Sequence, residues 1–207
     1  MAVSSLSKLS VPVAGQNQGL LMPKLQYRFR VFLENFGVSR PSSELTKQVI
    51  DCARPTVSFE PIVVDVYNSK INLAGRHTWD PITINIRDDA TGEVQKLVGE
   101  QLQKQFDFYE QASARAGIDY KFTTRIEILD GGNGAFDATV LETWELYGCF
   151  VQSANYNQLA YSANEVVTIT LNIQFDNAIQ SPLGTGVGTN VGRTLGALST
   201  GAGNAAG

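Results

Sequence analysis

The sequence predicts a mainly β protein with one flanking α-helix. Two segments, Ile82–Arg87 and Val166–Phe175, alternate sharply between apolar and mostly uncharged polar residues. Such alternation is typical of a strand that has a core behind it and water in front. Glu93–Ser113 instead places apolar residues at three- and four-residue spacing, the pattern of an amphipathic helix.

Weaker alternation predicts four more strands along the chain. These are Tyr27–Phe36, Val57–Tyr67, Lys121–Leu129 and Thr139–Tyr147. Pro61 interrupts the second of them and suits an edge or a bulge, because proline has no backbone N–H to donate. Asp130–Gly134, DGGNG, indicates a turn between the last two. Leu45–Ala53 shows no clear pattern, and Val151–Ser162 is predicted to be loop.

The segment 68–76 is predicted to be a polar, glycine-bearing loop. Asn68 opens it with a turn signal, and Gly75 permits a sharp bend before Arg76. Ile71 and Leu73 form an apolar clip between these two ends. The alternative is an ordinary hairpin that folds onto its own domain.

The helix carries its apolar stripe on one side. The stripe consists of Val94, Leu97, Val98, Leu102, Phe106 and Tyr109. Thr91 or Asp89 is expected to cap its N-terminus, and Gly117 lies where the helix would stop.

Composition limits the classes of function. Hydrophobic residues make up 43% of the 207 residues, which is enough for a core, while charged residues make up only 17%. Such a shortage of charge suggests that partners cover part of the surface. A net charge of −4 argues against a protein that binds nucleic acid by neutralising phosphates.

We expect a protein made inside a cell. Cys52 and Cys149 lie far apart and form no CxxC pattern, so they are expected to be reduced thiols. We find no secretory signal and no apolar run long enough to span a membrane.

No catalytic constellation is visible. His77 is the sole histidine, and it is expected to be a solvated or interfacial loop residue. Neither a metal site nor a cofactor site is predicted, and the glycines of 184–192 lack the Lys-Ser/Thr ending of a phosphate loop. Trp79 and Trp144 are expected to be packing anchors.

Two stretches together resemble a known family. KINLAGRHTWDPITINIRDD at 70–89 and WELYGCFVQSANYNQLAYSANEVVTITLNIQFDNA at 144–178 resemble the tail tube protein of contractile-tailed, T4-like bacteriophages. The resemblance covers Leu25–Ala178. It implies a β-sandwich or split β-barrel with one flanking helix, assembled as a hexameric ring that stacks into a tube. The ring protein of type VI secretion systems is similar in architecture.

The resemblance also implies a structural, non-enzymatic role as the inner tube of a phage tail, through which DNA is ejected. Implied partners are identical copies, the tail sheath, baseplate and tail terminator proteins, and in the lumen a tape-measure protein and then DNA. The implied location is the virion, after synthesis in the host cytoplasm. The alternatives are the tube of a contractile injection or type VI secretion system, or a β-sandwich binding module.

The family's arm to a neighbouring subunit or ring corresponds here to nine residues. They are Asn68, Ser69, Lys70, Ile71, Asn72, Leu73, Ala74, Gly75 and Arg76. The expected lining of the channel is the polar face of the last strand, namely Thr168, Thr170, Asn172 and Gln174.

Three regions are predicted along the chain. Residues 1–24 form an N-terminal arm, 25–178 form the tail-tube β domain, and 179–207 form a glycine-rich C-terminal extension. The two terminal regions have no counterpart in the compact family pattern.

Overall fold

The computed structural model describes residues 23–38, 42–44, 47–130, 138–162, 164–181 and 187. These residues form one eight-stranded antiparallel sheet, two small ribbons and one α-helix. The strands are β1 Phe29–Glu34, β2 Ser42–Glu44, β3 Val49–Cys52, β4 Thr56–Val66, β5 Ser69–Asp80, β6 Ile82–Arg87, β7 Phe106–Asp107, β8 Ala112–Ser113, β9 Phe122–Leu129, β10 Val140–Asn155, β11 Thr168–Gln174 and β12 Asn177–Ser181. The helix α1 spans Glu93–Gln105, and a 3₁₀ turn spans Gly117–Asp119.

The large sheet follows the order β2-β1-β9-β10-β11-β6-β3, with β12 pairing along part of β10. Strands β4 and β5 form a separate two-stranded hairpin, and β7 and β8 form a second one. Within the described residues β2 and β3 end the sheet without pairing to each other, so it stays open as in a split barrel. The predicted mainly β class with one flanking helix is confirmed.

Strand β10 joins the two halves of the sheet. Its first part pairs with β9 and β12, and its second part pairs with β11. The transition falls at Gly148, whose φ of 68° lies in the left-handed region that favours glycine. The sheet can therefore fold over a shared core.

That core lies between the two halves and is closed by the helix. Alternate residues of β1, β9, β6 and β11 point into it, as the period of two predicted. Its most deeply buried side chains are Phe36, Leu33, Ile82, Ile84, Ile86, Leu146, Ile169, Leu171 and Ile173. Trp79 and Trp144 are buried in the same cluster, as expected.

The helix is shorter than predicted. It ends at Gln105, and the chain continues as the β7–β8 ribbon. The carboxylate of Asp107 accepts hydrogen bonds from the backbone N–H groups of Tyr109 and Glu110, which holds a turn in place of another helical turn. Tyr109 is consequently exposed and was wrongly assigned to the apolar stripe. Gly117 begins the 3₁₀ turn and does not end the helix.

Two glutamines fasten the helix to the sheet. The Gln101 side chain is fully buried, accepts a hydrogen bond from the Gly37 N–H at 3.1 Å and donates to the Tyr120 carbonyl at 2.7 Å. The Gln105 carboxamide accepts from the Val151 N–H and donates to the Val151 carbonyl, both at 2.9 Å. The Gln105 carboxamide thus makes the two backbone hydrogen bonds that a neighbouring strand would make at this edge of β10.

Other predicted boundaries need correction. Residues 151–155 belong to β10 and not to a loop, because β11 supplies a hydrogen-bonding partner there. The ambiguous Leu45–Ala53 contains β3, and β12 was not predicted. Gly131–Gly134 of the predicted turn lie outside the described residues, as do 1–22 of the predicted arm and nearly all of 182–207.

Candidate assembly surfaces

The predicted channel-lining residues lie together on the solvent side of the sheet. Thr168, Thr170, Asn172 and Gln174 alternate with the buried residues of β11 and are each half-buried. Strand β6 lies beside them, where Thr83 and Asn85 face the same way. One half of the sheet therefore presents a hydroxyl- and amide-rich face.

The side chains of this polar face bond to one another across the strands. Thr83 donates to Asn172 Oδ1 at 2.9 Å, and Asn172 Nδ2 donates to Ser153 Oγ at 2.9 Å. In a parallel row, Thr170 donates to Asn85 Oδ1 at 2.7 Å. These rows run perpendicular to the strands and connect β6, β11 and β10.

The second row continues to both sides. Asn85 Nδ2 donates to Asp51 Oδ1 at 2.8 Å, and Asn157 Nδ2 lies 3.5 Å from Thr170 Oγ1. Asn157 Nδ2 also donates to Thr168 Oγ1 at 2.7 Å. Sequence reasoning missed Ser153 and Asn157, because both fell in a segment predicted to be loop. Their amide and hydroxyl types gave no signal without the register of β10 against β11.

A polar face bonded in this way has little capacity left for other molecules. Each shared hydrogen bond occupies one donor and one acceptor that could otherwise bind a solute. Asp51 and Arg87 are the charged groups at its margin. The face can be wetted by water, but it offers few ion pairs to a passing polyanion.

The second surface is the β4–β5 hairpin. It includes the segment 68–76, which was predicted to be a loop and is in fact a turn residue followed by strand. Its turn lies at Tyr67 and Asn68, and its strands pair from Val66↔Ser69 back to Thr56↔Asp80. The alternative, an ordinary hairpin, was correct for the secondary structure. The outer half of this hairpin is exposed on both strands, which shows that it does not fold onto its own domain.

Gly75 lies in a strand and not at a sharp bend. It lies at the irregularity between Phe59 and Pro61, where β5 has one residue more than β4. The extra residue is in β5, so Pro61, expected at an edge or a bulge, lies beside the bulge. A Cβ at position 75 would lie 2.5 Å from the Glu60 carbonyl oxygen, so the two backbones approach as only glycine allows. His77 is likewise in β5, between the rings of Phe59 and Trp79.

The outer half of the hairpin is amphipathic. Strand pairing places Ile62 opposite Leu73 and Val64 opposite Ile71, and these four side chains lie with Val66 on one face, which we call the apolar hairpin face. At the base of the hairpin the apolar side chains of Val57, Phe59 and Trp79 lie on the other face. Val57 and Trp79 pack on the core there, and the ring centroids of Trp79 and Phe175 are 5.5 Å apart. The apolar side of the hairpin therefore changes at the irregularity between Phe59 and Pro61.

Among the described residues nothing covers this face. Its five side chains, Ile62, Val64, Val66, Ile71 and Leu73, keep between 38% and 54% of their surface exposed. At about 1.5–3 kcal/mol for full burial of such a side chain, covering the five offers roughly 5 kcal/mol. A contiguous apolar surface of this kind marks an interaction site.

The outer face of the other half of the sheet is different in character. The ring of Phe32 lies 4.8 Å from the Arg125 guanidinium and 5.7 Å from that of Arg30. Both arginines approach the nearly buried Glu127, Arg30 at 3.0 Å and Arg125 at 3.3 Å. This face carries a network of charged groups, so its chemistry differs from that of the polar face and of the apolar hairpin face.

Metal ligands and activated thiols were sought among the described residues. These residues contain no group of three or more His, Cys, Asp or Glu side chains that could hold a metal ion. Cys52 and Cys149 are unpaired thiols, and burial raises the pKa of Cys149 to about 11 and that of Cys52 to about 12. Neither is therefore an activated nucleophile. Among the described helices, none has the length and apolarity required to cross a membrane.

Comparisons with solved structures support the fold. A chain of the anti-feeding prophage baseplate superposes with a TM-score of 0.59 at 13% identity, over 78% of this chain and 97% of that one. A chain of the same prophage's tube-terminating cap gives 0.59 at 13%, over 83% and 99%. A chain of the extended sheath–tube complex of an extracellular contractile injection system, PVC, gives 0.55 at 15%, over 86% and 99%.

Comparisons at the level of sequence identify no family. No protein-family model matches the chain, and no curated protein matches it. At these identities the structural likeness shows the fold. The resemblance predicted from the sequence is confirmed at that level: the chain has the fold of chains found in contractile tube, cap and baseplate assemblies.

Proposed function

We propose that the chain is a structural subunit of the tube of a contractile system, without enzymatic activity. The observation that carries this proposal is the exposed apolar hairpin face, which has no cover within the described residues. The fold likeness to tube-associated chains, over nearly their whole length, supports the same function.

In this proposal identical copies cover what one copy leaves open. Each copy offers the same hairpin and the same outer edges of β2 and β3, which have no strand partner among the described residues. A head-to-tail contact of these surfaces closes into a ring when its rotation divides a circle, and the proposed ring has six copies. Stacked rings then form the tube, with the sheath, baseplate and terminator proteins as further partners.

The polar face formed by β6, β11 and the second part of β10 is proposed to line the channel. Its hydroxyl and amide groups are largely bonded to each other, so a molecule that passes through finds few groups to hold it. That property suits a conduit. Residues 25–178 are proposed as the tube domain, with 1–24 and 179–207 as extensions.

The cargo distinguishes two versions of this function. In a phage tail the channel carries a tape-measure protein and then DNA, and the tube is part of the virion. In a contractile injection or type VI secretion system the cargo is protein. We favour the phage tail on the resemblance of residues 70–89 and 144–178, and the fold likeness fits both versions equally.

Replacement of the apolar clip tests the assembly. Ile71→Asp combined with Leu73→Asp places two charges on the apolar hairpin face, so we expect a folded protein that no longer polymerises. Asn72→Asp is the matched control, since residue 72 lies between them on the opposite face. Sedimentation velocity and circular dichroism measure assembly and folding. Long polymers formed by the double variant would refute the proposed role of the hairpin.

A further inference from the structure

The base of the hairpin and an open surface cavity lie at opposite ends of the same polar face. Strand β5 ends at Asp80, next to the end of β6 where Ile82 pairs with Ile173. At the other end Arg87 pairs with Thr168, and there the loop that precedes β11 borders a cavity of about 620 Å³. The length of β6, six residues at about 3.3 Å each, separates them.

The tip of the hairpin carries an unusual tyrosine. Tyr67 has a φ of 49°, in the left-handed region where a non-glycine residue costs roughly 1–2 kcal/mol, and its side chain is fully exposed at 103%. Asparagine or glycine relieves such strain in a turn. Strain of this kind persists where the side chain has a function, and an exposed tyrosine is a frequent anchor of protein interfaces.

The cavity has the chemistry to accept an aromatic side chain. Residues 157–161 and 165–168 line it, with Leu159 and Val166 exposed on its walls. The Asn157 amide fixes the loop to β11 through its bonds to Thr168. Glu165 is part of the lining, and its carboxylate can pair with Lys70, which lies beside the hairpin tip. Within its own copy Lys70 is 3.7 Å from Asp65, and both side chains are largely exposed.

We propose that Tyr67 of one copy inserts into the cavity of residues 157–161 and 165–168 on the next copy. The inference rests on the proposed function, which supplies a stack of identical copies, and deepens it by naming both halves of the contact. Because the two halves are different surfaces, the contact is head to tail. Placed between successive rings, it repeats along the stack and gives the stack a direction.

Tyr67→Asn separates this role from a role in folding. Asparagine tolerates the left-handed backbone, so the variant should be at least as stable to denaturant as the wild type. Its half-assembly concentration should rise about tenfold or more, as expected for loss of a tyrosine anchor. Tyr109→Asn, at another exposed tyrosine, is the control and should assemble normally. Unchanged assembly of Tyr67→Asn would overturn the proposal.

Charge reversal tests the pairing of the two surfaces. Lys70→Glu and Glu165→Lys should each weaken assembly, and the double variant should recover most of it. If the double variant loses as much assembly free energy as the two single variants together, these positions are not in contact.

Cross-linking tests the contact itself. Tyr67→Cys and Leu159→Cys, prepared as separate full-length proteins, should form an intermolecular disulfide only when they are mixed and allowed to assemble. The wild type, with buried Cys149 and half-buried Cys52, sets the background. Stacks that form without this cross-link would overturn the inference alone. A wild type that never assembles would overturn the proposed function as well.

Discussion

At the scale of single residues, one glycine controls how the sheet is divided. Gly148 stands where β10 passes from β9 and β12 to β11, and Asp176 lies opposite it, between β11 and β12. A Cβ at position 148 would lie 2.2 Å from Asp176 Oδ2, and its φ of 68° also disfavours a side chain. Both the contact and the backbone conformation therefore require glycine.

We predict that Gly148→Ala destabilises the fold by about 1–3 kcal/mol, through left-handed strain and the collision with Asp176. Gly99→Ala is the control, because nothing lies within 4 Å of the added methyl group in α1. That control should gain up to about 1 kcal/mol, since alanine favours helix. Chemical denaturation measures both. A Gly148→Ala protein as stable as the wild type would contradict this account.

At the scale of elements, the helix protects a strand edge. The Gln105 side chain satisfies both backbone polar groups of Val151, which is only 3% exposed. We predict that Gln105→Ala lowers the free energy of unfolding by about 1–3 kcal/mol, because buried groups lose their partner. The exposed Gln95 of the same helix, changed to alanine, should have an effect within about 0.5 kcal/mol. If the Gln105 variant and the control lose equal stability in denaturant titration, the edge of β10 at Val151 does not depend on the Gln105 side chain.

Elements were predictable wherever burial on one face imposed a period. The alternation of β6, β9 and β11 follows from the core beneath them, and the sequence carries it. The extent of β10 past Gly148 depends on pairing with β11, which no local pattern encodes. The end of α1 was missed because Phe106 fits the helical stripe, while the Asp107 side chain captures the next turn.

The same distinction holds for the candidate surfaces. Alternation was enough to identify the polar side of β11, but the rows of hydrogen bonds depend on the register between strands. The apolar clip Ile71 and Leu73 was recognised within its segment. Its counterparts Ile62 and Val64 were missed as members of the same surface, because only the pairing of β4 with β5 brings them together.

At the scale of the whole molecule, the charge of the channel should govern transport. If the polar face lines the tube, Thr170→Lys with Asn172→Lys adds positive groups that bind nucleic acid phosphates. We predict that tubes still assemble, since both positions lie on the solvent side of the sheet, and that genome release slows. Ejection kinetics of particles with these tubes measure the effect. Release at the normal rate would argue against this lining.

The whole molecule also explains why one copy is incomplete. Its hairpin leaves five apolar side chains about half exposed, and within the described residues the outer edges of β2 and β3 have no strand partner. Electron microscopy of the purified wild-type protein tests this most directly. The account predicts hollow rings or stacked tubes, with residues 168–174 facing the channel and the apolar hairpin face buried against another copy. Single globular particles at high protein concentration would contradict it.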